Sequence, residues 1–400
     1  MMRLEDLRQV VASDAALRYR VRLQSAGGAG DKVFPPTYEG AKYAEENRRA
    51  GDVIVPCIHL DSVQSQANRM ELALLEATQE SRIKLPLVMV DFSATNDPAL
   101  REVGKISSLE APHRLADAIL RDSCAADGTK FRETPEGKVL DTASIASATG
   151  LFGINPNALL FGVWDSTGPK GGLGVKFQRA IVSELVAINA EKGVRTSSRI
   201  DPLGIMANSG VLYRDPASGG WTLESKGANG KSLEKYGKEG RPSAANHGNV
   251  TPTIGENNGG ITFAYALQTV VLSLPALRRL RFPVDGQSNS ARDLAARTVL
   301  AALGLCSAVL CNSKGYDLRS RCLLVPESPG QWEILRGDGT ISTFDLSSSE
   351  ACALFNEAVE TAKSSGLPWR EEPLVLKPSE GLAKLVINSR NLLMQSKAED

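Results

Sequence analysis

The sequence predicts a mixed α and β fold, and three consecutive segments indicate it. Val53–Leu60 is rich in β-branched residues, which is typical of a strand. Asp61–Arg82 follows directly and carries apolar residues at helical spacing. Leu85–Phe92 is again a short apolar run of strand character. Because strand-like and helix-like segments alternate in this way, we expect sheets packed against helices.

Later segments continue the pattern. Pro112–Arg121 is predicted to be a short helix, and Ala158–Trp164 a strand. Ile261–Leu274 is apolar and β-rich, whereas Ala291–Leu305 has its leucines and valines at helical positions. Asp317–Val325 alternates apolar and polar residues, which predicts a single strand. The last third of the chain therefore repeats the combination of strand and helix.

The composition is that of a soluble protein with reduced thiols. Hydrophobic residues make up 42% of the 400 residues and charged residues 23%, whereas aromatics are sparse at 5%. The six cysteines include no Cys-x-x-Cys pair, so we expect neither a disulfide framework nor a metal site. We also expect no membrane span, because stretches such as Ala295–Leu310 fall short of the ~20 apolar residues required. A cytoplasmic location is the resulting expectation.

The net charge of zero hides an uneven distribution. Lys plus Arg equals 46, and so does Asp plus Glu. Residues 165–297 contain 17 basic and 11 acidic residues, which leaves 29 basic and 35 acidic residues elsewhere. Binding of a polyanion through bulk charge is therefore not expected, but binding through a local basic region is compatible with the sequence.

The middle of the chain is rich in loops. Residues 165–260 hold 17 of the 36 glycines. Within this region Arg214–Ile254 shows almost no apolar periodicity and is too polar to form a core. We expect a projecting insertion over residues 205–260.

The start of the first long helix is a candidate phosphate site. Asp61 is predicted to cap the helix, and the first two turns carry Gln64, Ser65, Asn68 and Arg69. Free backbone N–H groups, side-chain amides and one guanidinium together suit a phosphate. An ordinary amphipathic helix with a solvated polar face explains the same pattern.

The predicted helix after Pro112 offers a second candidate. His113 and Arg114 fall in its first turn, where both side chains could contact a phosphate. Alternatively, His113 pairs with Asp117 one turn later in an ordinary surface ladder.

Asp165–Arg179 is a glycine-rich loop with interspersed cations. Glycines such as Gly172 allow a ligand to approach the backbone, and Lys170, Lys176 and Arg179 supply positive charge. The spacing fits neither a Walker loop nor a dinucleotide fingerprint. A loop that cradles a polymer backbone is the functional interpretation, and a flexible hairpin tip is the alternative.

Two further groups combine arginine with small hydroxyl residues, which are the usual contacts to sugar and phosphate. A solvated charged face is the alternative for each. The candidates are Arg195, Ser197 and Arg199 in one segment, and Arg319 and Arg321 on one face of the predicted strand 317–325.

The sequence contains no signature of catalysis. It has three histidines, His59, His113 and His247, and none lies in a Gly-x-Ser-x-Gly, His-Glu-x-x-His or Cys/His motif. We therefore expect no enzymatic activity, no metal and no cofactor.

Several segments in the same order resemble one CRISPR family. These are Phe34–Tyr38, Asp61–Arg69, Leu109–Arg114, Leu160–Gly168, Gly171–Arg179, Arg195–Pro202 and Leu272–Phe282. They resemble the type I-G (formerly I-U) Cascade backbone subunit, a repeat-associated mysterious protein of the Cas-seven group. The resemblance extends from about residue 34 to residue 325.

The resemblance implies an α+β fold with an RNA-recognition-motif-like (RRM-like, ferredoxin-like) palm over residues 1–400 and with large finger and thumb insertions. Residues 205–260 would form one such insertion. The implied partners are CRISPR RNA, copies of the same subunit, other Cascade subunits and, by way of the guide, target DNA. A ribonuclease of the same superfamily that processes CRISPR RNA or cleaves its target is the alternative, with His113 as its candidate base.

Overall fold

The computed structural model describes residues 2–95, 97–166, 174–255 and 258–399. The helices in these ranges are α1 Leu4–Ser13, α2 Val63–Gln79, α3 Pro98–Arg101, α4 Ala118–Arg121, α5 Pro135–Thr142, α6 Thr149–Ile154, α7 Pro156–Phe161, α8 Leu274–Arg278, α9 Ser290–Ser313, α10 Ser348–Ser364 and α11 Glu380–Glu399. The first strands are β1 Ala16–Ser25, β2 Glu45–Ala50, β3 Val53–Asp61, β4 Val88–Asp91, β5 Lys105–Ser107, β6 Ser123–Cys124, β7 Val163–Trp164, β8 Lys176–Phe177, β9 Ile181–Ile188 and β10 Glu191–Lys192. The later strands are β11 Arg195–Arg199, β12 Tyr213–Arg214, β13 Trp221–Thr222, β14 Val250–Gly255, β15 Ile261–Thr262, β16 Tyr265–Ser273, β17 Tyr316–Arg319, β18 Cys322–Pro326, β19 Gln331–Leu335, β20 Ile341–Phe344 and β21 Leu374–Pro378.

The central sheet has the topology of a ferredoxin-like fold. Its strands lie in the order β17-β18-β1-β16-β9-β3-β2, and β19 and β20 extend it beside β1. The chain connects four of them as β1–α2–β9–β16–α9–β18, so the sheet order is fourth, first, third, second. Neighbouring strands within this set are antiparallel. The predicted α+β class with an RRM-like palm is confirmed.

One face of this sheet is covered by α2 and α9, and the hydrophobic core lies between the sheet and these two helices. Alternate residues of β1, such as Leu17, Val21 and Leu23, are buried on that face. The same alternation places Ala266 and Val270 of β16 in the core. Every second residue of these strands therefore points toward the face of the sheet on which the two helices pack.

Helix α9 is longer than its predicted span. By length and composition its 24 residues could cross a membrane, so the expectation that this segment is too short for a span was wrong. However, 78% of its most apolar window is buried against the rest of the protein, which makes it a core helix. Cys306 of α9 lies 3.9 Å from Cys352 of α10 between their Sγ atoms, and all six cysteines are free.

A polar network interrupts the core between the sheet and the two helices. Gln268 of β16 lies between two apolar clusters, and its Nε2 is 2.9 Å from Asn312 Oδ1 on α9. Its Oε1 accepts a hydrogen bond of 3.0 Å from the Tyr316 hydroxyl. Ser183 of β9 donates to Gln66 Oε1 of α2 at 2.7 Å. These bonds fix both helices against the sheet at defined positions.

A second, smaller sheet packs against the helical side. Its order is β5-β4-β21-β6, with β21 parallel to β4 and antiparallel to β6. Because β21 belongs to residues 374–378, the C-terminal part of the chain completes a sheet begun near residue 88.

The connection between β9 and β16 is a long excursion from the central sheet. Strands β10 and β15 pair at its base, and β11 and β14 pair beyond them as a two-stranded ribbon. The described side chains of this ribbon are exposed apart from the half-buried Arg199. The predicted insertion 205–260 lies within this connection, and its role as thumb or finger stays a prediction.

Three of the predicted elements were wrong in type or extent. Most of Ala158–Trp164 belongs to α7, and only its last two residues form β7. Asp317–Val325 is not one strand but the hairpin β17–β18, which turns at Ser320 and Arg321. Pro112–Arg121 is divided by Asp117 into a 3-10 turn and α4. These segments are too short for the periodicity of their apolar residues to distinguish a strand from a helix.

We predict that Gln268→Leu lowers the free energy of unfolding by about 1–3 kcal/mol, because it leaves the Asn312 amide and the Tyr316 hydroxyl without their buried partner. Urea unfolding followed by circular dichroism measures the change. Thr269→Val is the matched control, since Thr269 lies on the opposite face of the same strand. Equal effects of the two substitutions would contradict a structural role of the network.

Candidate functional site

The start of α2 is built differently from the sequence prediction. Ser62, not Asp61, is the N-cap, and its hydroxyl accepts a hydrogen bond from the Ser65 backbone N–H at 3.2 Å. Asp61 is instead the last residue of β3 and is buried. The prediction failed because a buried carboxylate and a capping carboxylate look alike in sequence.

Asp61 organises a cluster with two of the predicted cations, which we call the Asp61 cluster. Its Oδ2 accepts from Arg69 Nε at 2.9 Å, and its Oδ1 lies 3.5 Å from Arg319 Nη2. Both guanidiniums also donate to carbonyl oxygens, Arg69 to Leu318 and Arg319 to Leu60. About a third of each arginine side chain remains exposed, whereas Asp61 is buried. The cluster is therefore anchored on its protein side and open to solvent on the other.

The residues of the first turns that face solvent form the α2 strip, which comprises Gln64, Ser65 and Asn68. Gln64 and Asn68 are exposed, and in the described part of the chain their amides make no hydrogen bond. Ser65 is half-buried beside the Ser62 cap. The strip thus presents free amide donors and acceptors next to the Asp61 cluster.

On the other side of α2, Glu71 forms the centre of a second group, the Glu71 cluster. Arg114 makes a bidentate pair with it, at 2.8 Å from Nε to Oε1 and 2.7 Å from Nη2 to Oε2. Asn157 donates to the same carboxylate at 2.9 Å. Burial raises the pKa of Glu71, and the Arg114 cation and Asn157 amide act against that rise.

Arg114 is therefore a structural residue, which corrects the expectation that it contacts a phosphate. Its side chain is buried, and Nη1 donates to the Gly162 carbonyl at 2.9 Å. The adjacent His113 is exposed, and its backbone N–H, rather than its ring, is bonded to Asp117. The predicted pairing of His113 with Asp117 thus exists only through the main chain.

The hairpin β7–β8 carries the remaining cations of this side. Arg179 follows β8 and is half-buried, and its Nε donates to the Phe161 carbonyl at 3.2 Å. Among the described residues it has no carboxylate within 4.0 Å. Burial lowers the pKa of Arg179, and the Arg114 cation lowers it further, whereas Glu71 raises it. The positive charge of Arg179 is thus only partly neutralised by its surroundings.

The other predicted residues of this segment have different positions. Lys176 is exposed on β8. Lys170 and Gly172 lie outside the described residues. The interpretation of the glycine-rich loop as a cradle therefore stays a prediction.

The ribbon β11–β14 carries a separate group. Arg195 is exposed, and the hydroxyl of Ser197 lies 2.8 Å from that of Thr253 on the paired strand. Arg199 donates twice to the Gly248 carbonyl, at 3.0 and 2.7 Å. Arg199 thus ties the ribbon to its tip, whereas Arg195 is available to a ligand.

The turn of the β17–β18 hairpin connects the Asp61 cluster with the base of the ribbon. Arg321, at this turn, lies over the Phe34 ring with its Cζ 4.1 Å from the ring centroid. The neighbouring residue Val33 forms a bridge with Ile261 of β15. Arg321 therefore does not share the face of Arg319, contrary to the prediction.

The structure thus brings together candidates that are far apart in sequence. The α2 strip lies on a helix that bears the Asp61 cluster at its start and the Glu71 cluster with Arg179 at its side. No described contact joins the ribbon residues Arg195 and Ser197 to this strip. In the described part of the chain, no group of three or more His, Cys, Asp or Glu side chains is placed to hold a metal ion.

Sequence reasoning missed one series of cations. Arg18, Arg20 and Arg22 alternate along β1 and lie on the sheet face opposite the helices. Arg18 and Arg22 are within 4.0 Å of Glu333 and Glu327, respectively. The period of two in residues 16–24 was the available signal.

We predict that Arg114→Met lowers the free energy of unfolding by about 3–5 kcal/mol near neutral pH, because Glu71 loses its buried counter-charge. Since burial raises the pKa of Glu71, its contribution to stability is complete below its ordinary pKa and is lost as pH rises through the raised value. The deficit of the variant should therefore be larger at about pH 8 than at about pH 5.

Urea unfolding at the two pH values measures this difference. The double variant Glu71→Gln, Arg114→Met is the control, because it carries no buried carboxylate at this position and its deficit should not grow between about pH 5 and about pH 8. A single variant whose deficit is the same at both pH values would contradict the assignment.

Comparison with known proteins gives one partial family match. Residues 17–192 match the family described as CRISPR-associated protein GSU0053. No curated protein matches the sequence. A structural comparison aligns 90% of this chain with 77% of Csc2 from Thermofilum pendens, at 11% identity and a TM-score of 0.27, which is too low to transfer any property. Residues 17–192 are therefore similar to a CRISPR-associated family. This stretch contains the α2 strip, the α2 residues of both clusters and Arg179.

Proposed function

We propose that the chain is a CRISPR RNA-binding backbone subunit of a type I Cascade complex, of subtype I-G, and that several copies assemble along the guide. The observation that supports this most directly is the position of the α2 strip. It lies between two groups of arginines, within the residues that match a CRISPR-associated family. Such a complex presents the guide for pairing with target DNA, and we infer a cytoplasmic location with no membrane partner.

The chemistry of the site suits binding that does not depend on base sequence. Amides, hydroxyls and guanidiniums can all contact phosphate and ribose oxygens, and such contacts position a nucleic acid without reading its sequence. Gln64, Ser65 and Asn68 would contact ribose or phosphate, with Arg69 and Arg319 beside them. Arg179 would also gain from a bound phosphate, because no carboxylate lies within 4.0 Å of it among the described residues.

The residues outside α2 would extend this contact. Lys176 and Arg195 are exposed cations without an ion pair among the described residues. His113, Ser197 and Arg321 are at the surface, whereas Arg199 is held by Gly248. These residues are proposed RNA contacts, whereas the buried Arg114 is not, because its donors are bonded to Glu71 and Gly162.

The excursion between β9 and β16 would contact a neighbouring copy. Ile200, Leu203, Met206 and Ile254 are each more than two-thirds exposed. Exposed apolar side chains on an excursion that leaves the sheet are compatible with an interaction site. We infer that this excursion acts as the thumb or finger and also meets other Cascade subunits.

We infer that the subunit holds RNA without cutting it and uses no cofactor. The alternative, a ribonuclease, depends on His113 as a base. Its ring is exposed, and no carboxylate within 4.0 Å orients it in the described part of the chain. The structure offers no specific observation in favour of that alternative.

We predict that Lys176→Gln, Arg179→Gln and Arg195→Gln each weaken binding of single-stranded RNA and reduce the slope of log affinity against log salt concentration by about 0.7, because each removes one phosphate contact. Fluorescence anisotropy of a labelled RNA at several salt concentrations measures both quantities, and the RNA should be recovered intact.

Lys138→Gln is the matched control, since Lys138 is an exposed cation on α5, outside the site. If the three site variants retain the affinity and slope of this control, RNA does not bind here. Cleavage of the RNA that is lost in His113→Ala would instead support the ribonuclease.

We predict that replacing residues 200–249 by Asn-Gly leaves the palm folded but abolishes cooperative loading of several copies on a long RNA. Arg199 and Val250 are paired residues of the ribbon, so a two-residue turn can join them. Sedimentation velocity with RNAs of increasing length measures the number of copies bound.

A triple variant, Ile200→Ser, Leu203→Ser and Met206→Ser, tests the same surface without a deletion. Both variants should retain the urea unfolding transition and the binding of a single copy. Cooperative loading equal to that of the unmodified chain would contradict the assignment of the excursion to contacts between copies.

A further inference from the structure

The hairpin β7–β8 presents an exposed aromatic ring beside the proposed RNA site. Trp164 is 52% exposed, although tryptophan is normally among the more buried residues. It is paired across the hairpin with Lys176, whose Nζ lies 5.2 Å from the centroid of the indole ring. One face of the ring therefore has a cation beside it.

The hairpin that carries this ring is firmly anchored. Val163 and Phe177, the other cross-strand pair, are buried in the core. Asp165 follows Trp164, is itself buried, and pairs with Arg132 at 2.9 Å. Because both flanking positions are fixed, the exposure of Trp164 is a property of a rigid frame rather than of a loose end.

The backbone next to the ring has a conformation and close contacts that favour glycine at position 162. Gly162 has a φ of 85°, and a Cβ at this position would lie 3.1 Å from the Arg179 nitrogen and 3.1 Å from the Phe177 carbonyl oxygen. The Gly162 carbonyl accepts from Arg114 and the Phe161 carbonyl from Arg179. Trp164 therefore follows the two carbonyls to which these arginines donate by two residues (Gly162) and three residues (Phe161).

We propose that Trp164 stacks on a nucleobase of the bound RNA, while Lys176 and Arg179 contact the adjoining phosphates. This inference rests on the proposed function and adds a contact that phosphate recognition does not require. Base–aromatic stacking is tolerant of sequence because every base has a π face, so it suits a subunit that must hold any guide. An aromatic ring with a cation 5.2 Å from its centroid favours a ligand that combines an aromatic group with negative charge, which describes a nucleotide.

The alternative roles of an exposed tryptophan fit this position less well. A peptide partner would gain little from Lys176 and Arg179 unless it were acidic. A purely structural ring would be covered, whereas about half of this one is open. The adjacent carboxylate of Asp165 is paired with Arg132 at 2.9 Å, which offsets its negative charge.

The test compares a normal RNA oligonucleotide with one of the same length that lacks its bases but keeps its phosphates. The full-length protein and its variant Trp164→Leu are titrated with each by anisotropy at one salt concentration. The unmodified protein should lose about 5-fold to 100-fold more affinity on removal of the bases than Trp164→Leu does. Trp164→Phe should retain most of the difference, because phenylalanine also stacks.

Folding and the identity of the reporter are controlled separately. Trp164→Leu should keep the urea unfolding transition of the unmodified protein. Quenching of tryptophan fluorescence by RNA should be lost in Trp164→Phe but kept in Trp369→Phe, since Trp369 packs against Phe152 and Phe355 in the core.

The outcomes distinguish this inference from the proposed function. If Trp164→Leu loses equal affinity for both oligonucleotides, or none for either, stacking by Trp164 is overturned although RNA binding stands. If the unmodified protein binds neither oligonucleotide, the proposed function fails, and the stacking proposal fails with it.

Discussion

Two buried carboxylates on either side of α2 determine where this helix lies and which of its residues reach solvent. Asp61 precedes the helix and Glu71 lies in its middle, and both are almost completely buried. A buried anion is stable only if hydrogen bonds and cations compensate the loss of water. Arg69 and Arg319 supply them for Asp61, and Arg114 supplies them for Glu71. The α2 strip is exposed because the other sides of the helix are committed to these contacts and to the core.

This constraint separates two kinds of arginine that sequence alone cannot distinguish. Arg114 donates its hydrogen bonds to Glu71 and to a backbone carbonyl inside the protein, so its charge is neutralised. Arg179 lies beside it, donates to the neighbouring carbonyl, and lacks a carboxylate of its own among the described residues. The same cluster therefore neutralises one cation and leaves the other for a ligand. A phosphate at Arg179 would complete an arrangement that the protein provides only in part.

The sequence predicts the fold better than the site, for physical reasons. Long periodic segments such as α2 and α9 were recognised, and the RRM-like palm followed from a resemblance over ordered motifs. Ala158–Trp164 is predicted as a strand, because a short apolar run has no period that identifies a buried helix. The sequence predicts Asp61 as a helix cap and cannot predict its pairing with Arg319, which is more than 250 residues away. Trp164 lay within a recognised motif, but only its exposure next to Lys176 indicates a binding role.

The topology also suits the proposal that a neutral chain holds a polyanion and packs against copies of itself. The excursion starts and ends at adjacent antiparallel strands, β9 and β16, so its length can vary without altering the core beneath them. Its apolar tip residues and the cations near α2 belong to different parts of the chain. At physiological ionic strength, exposed charges more than about 8 Å apart interact weakly. Local cations can then hold phosphates, while the zero net charge keeps long-range repulsion between neighbouring copies small.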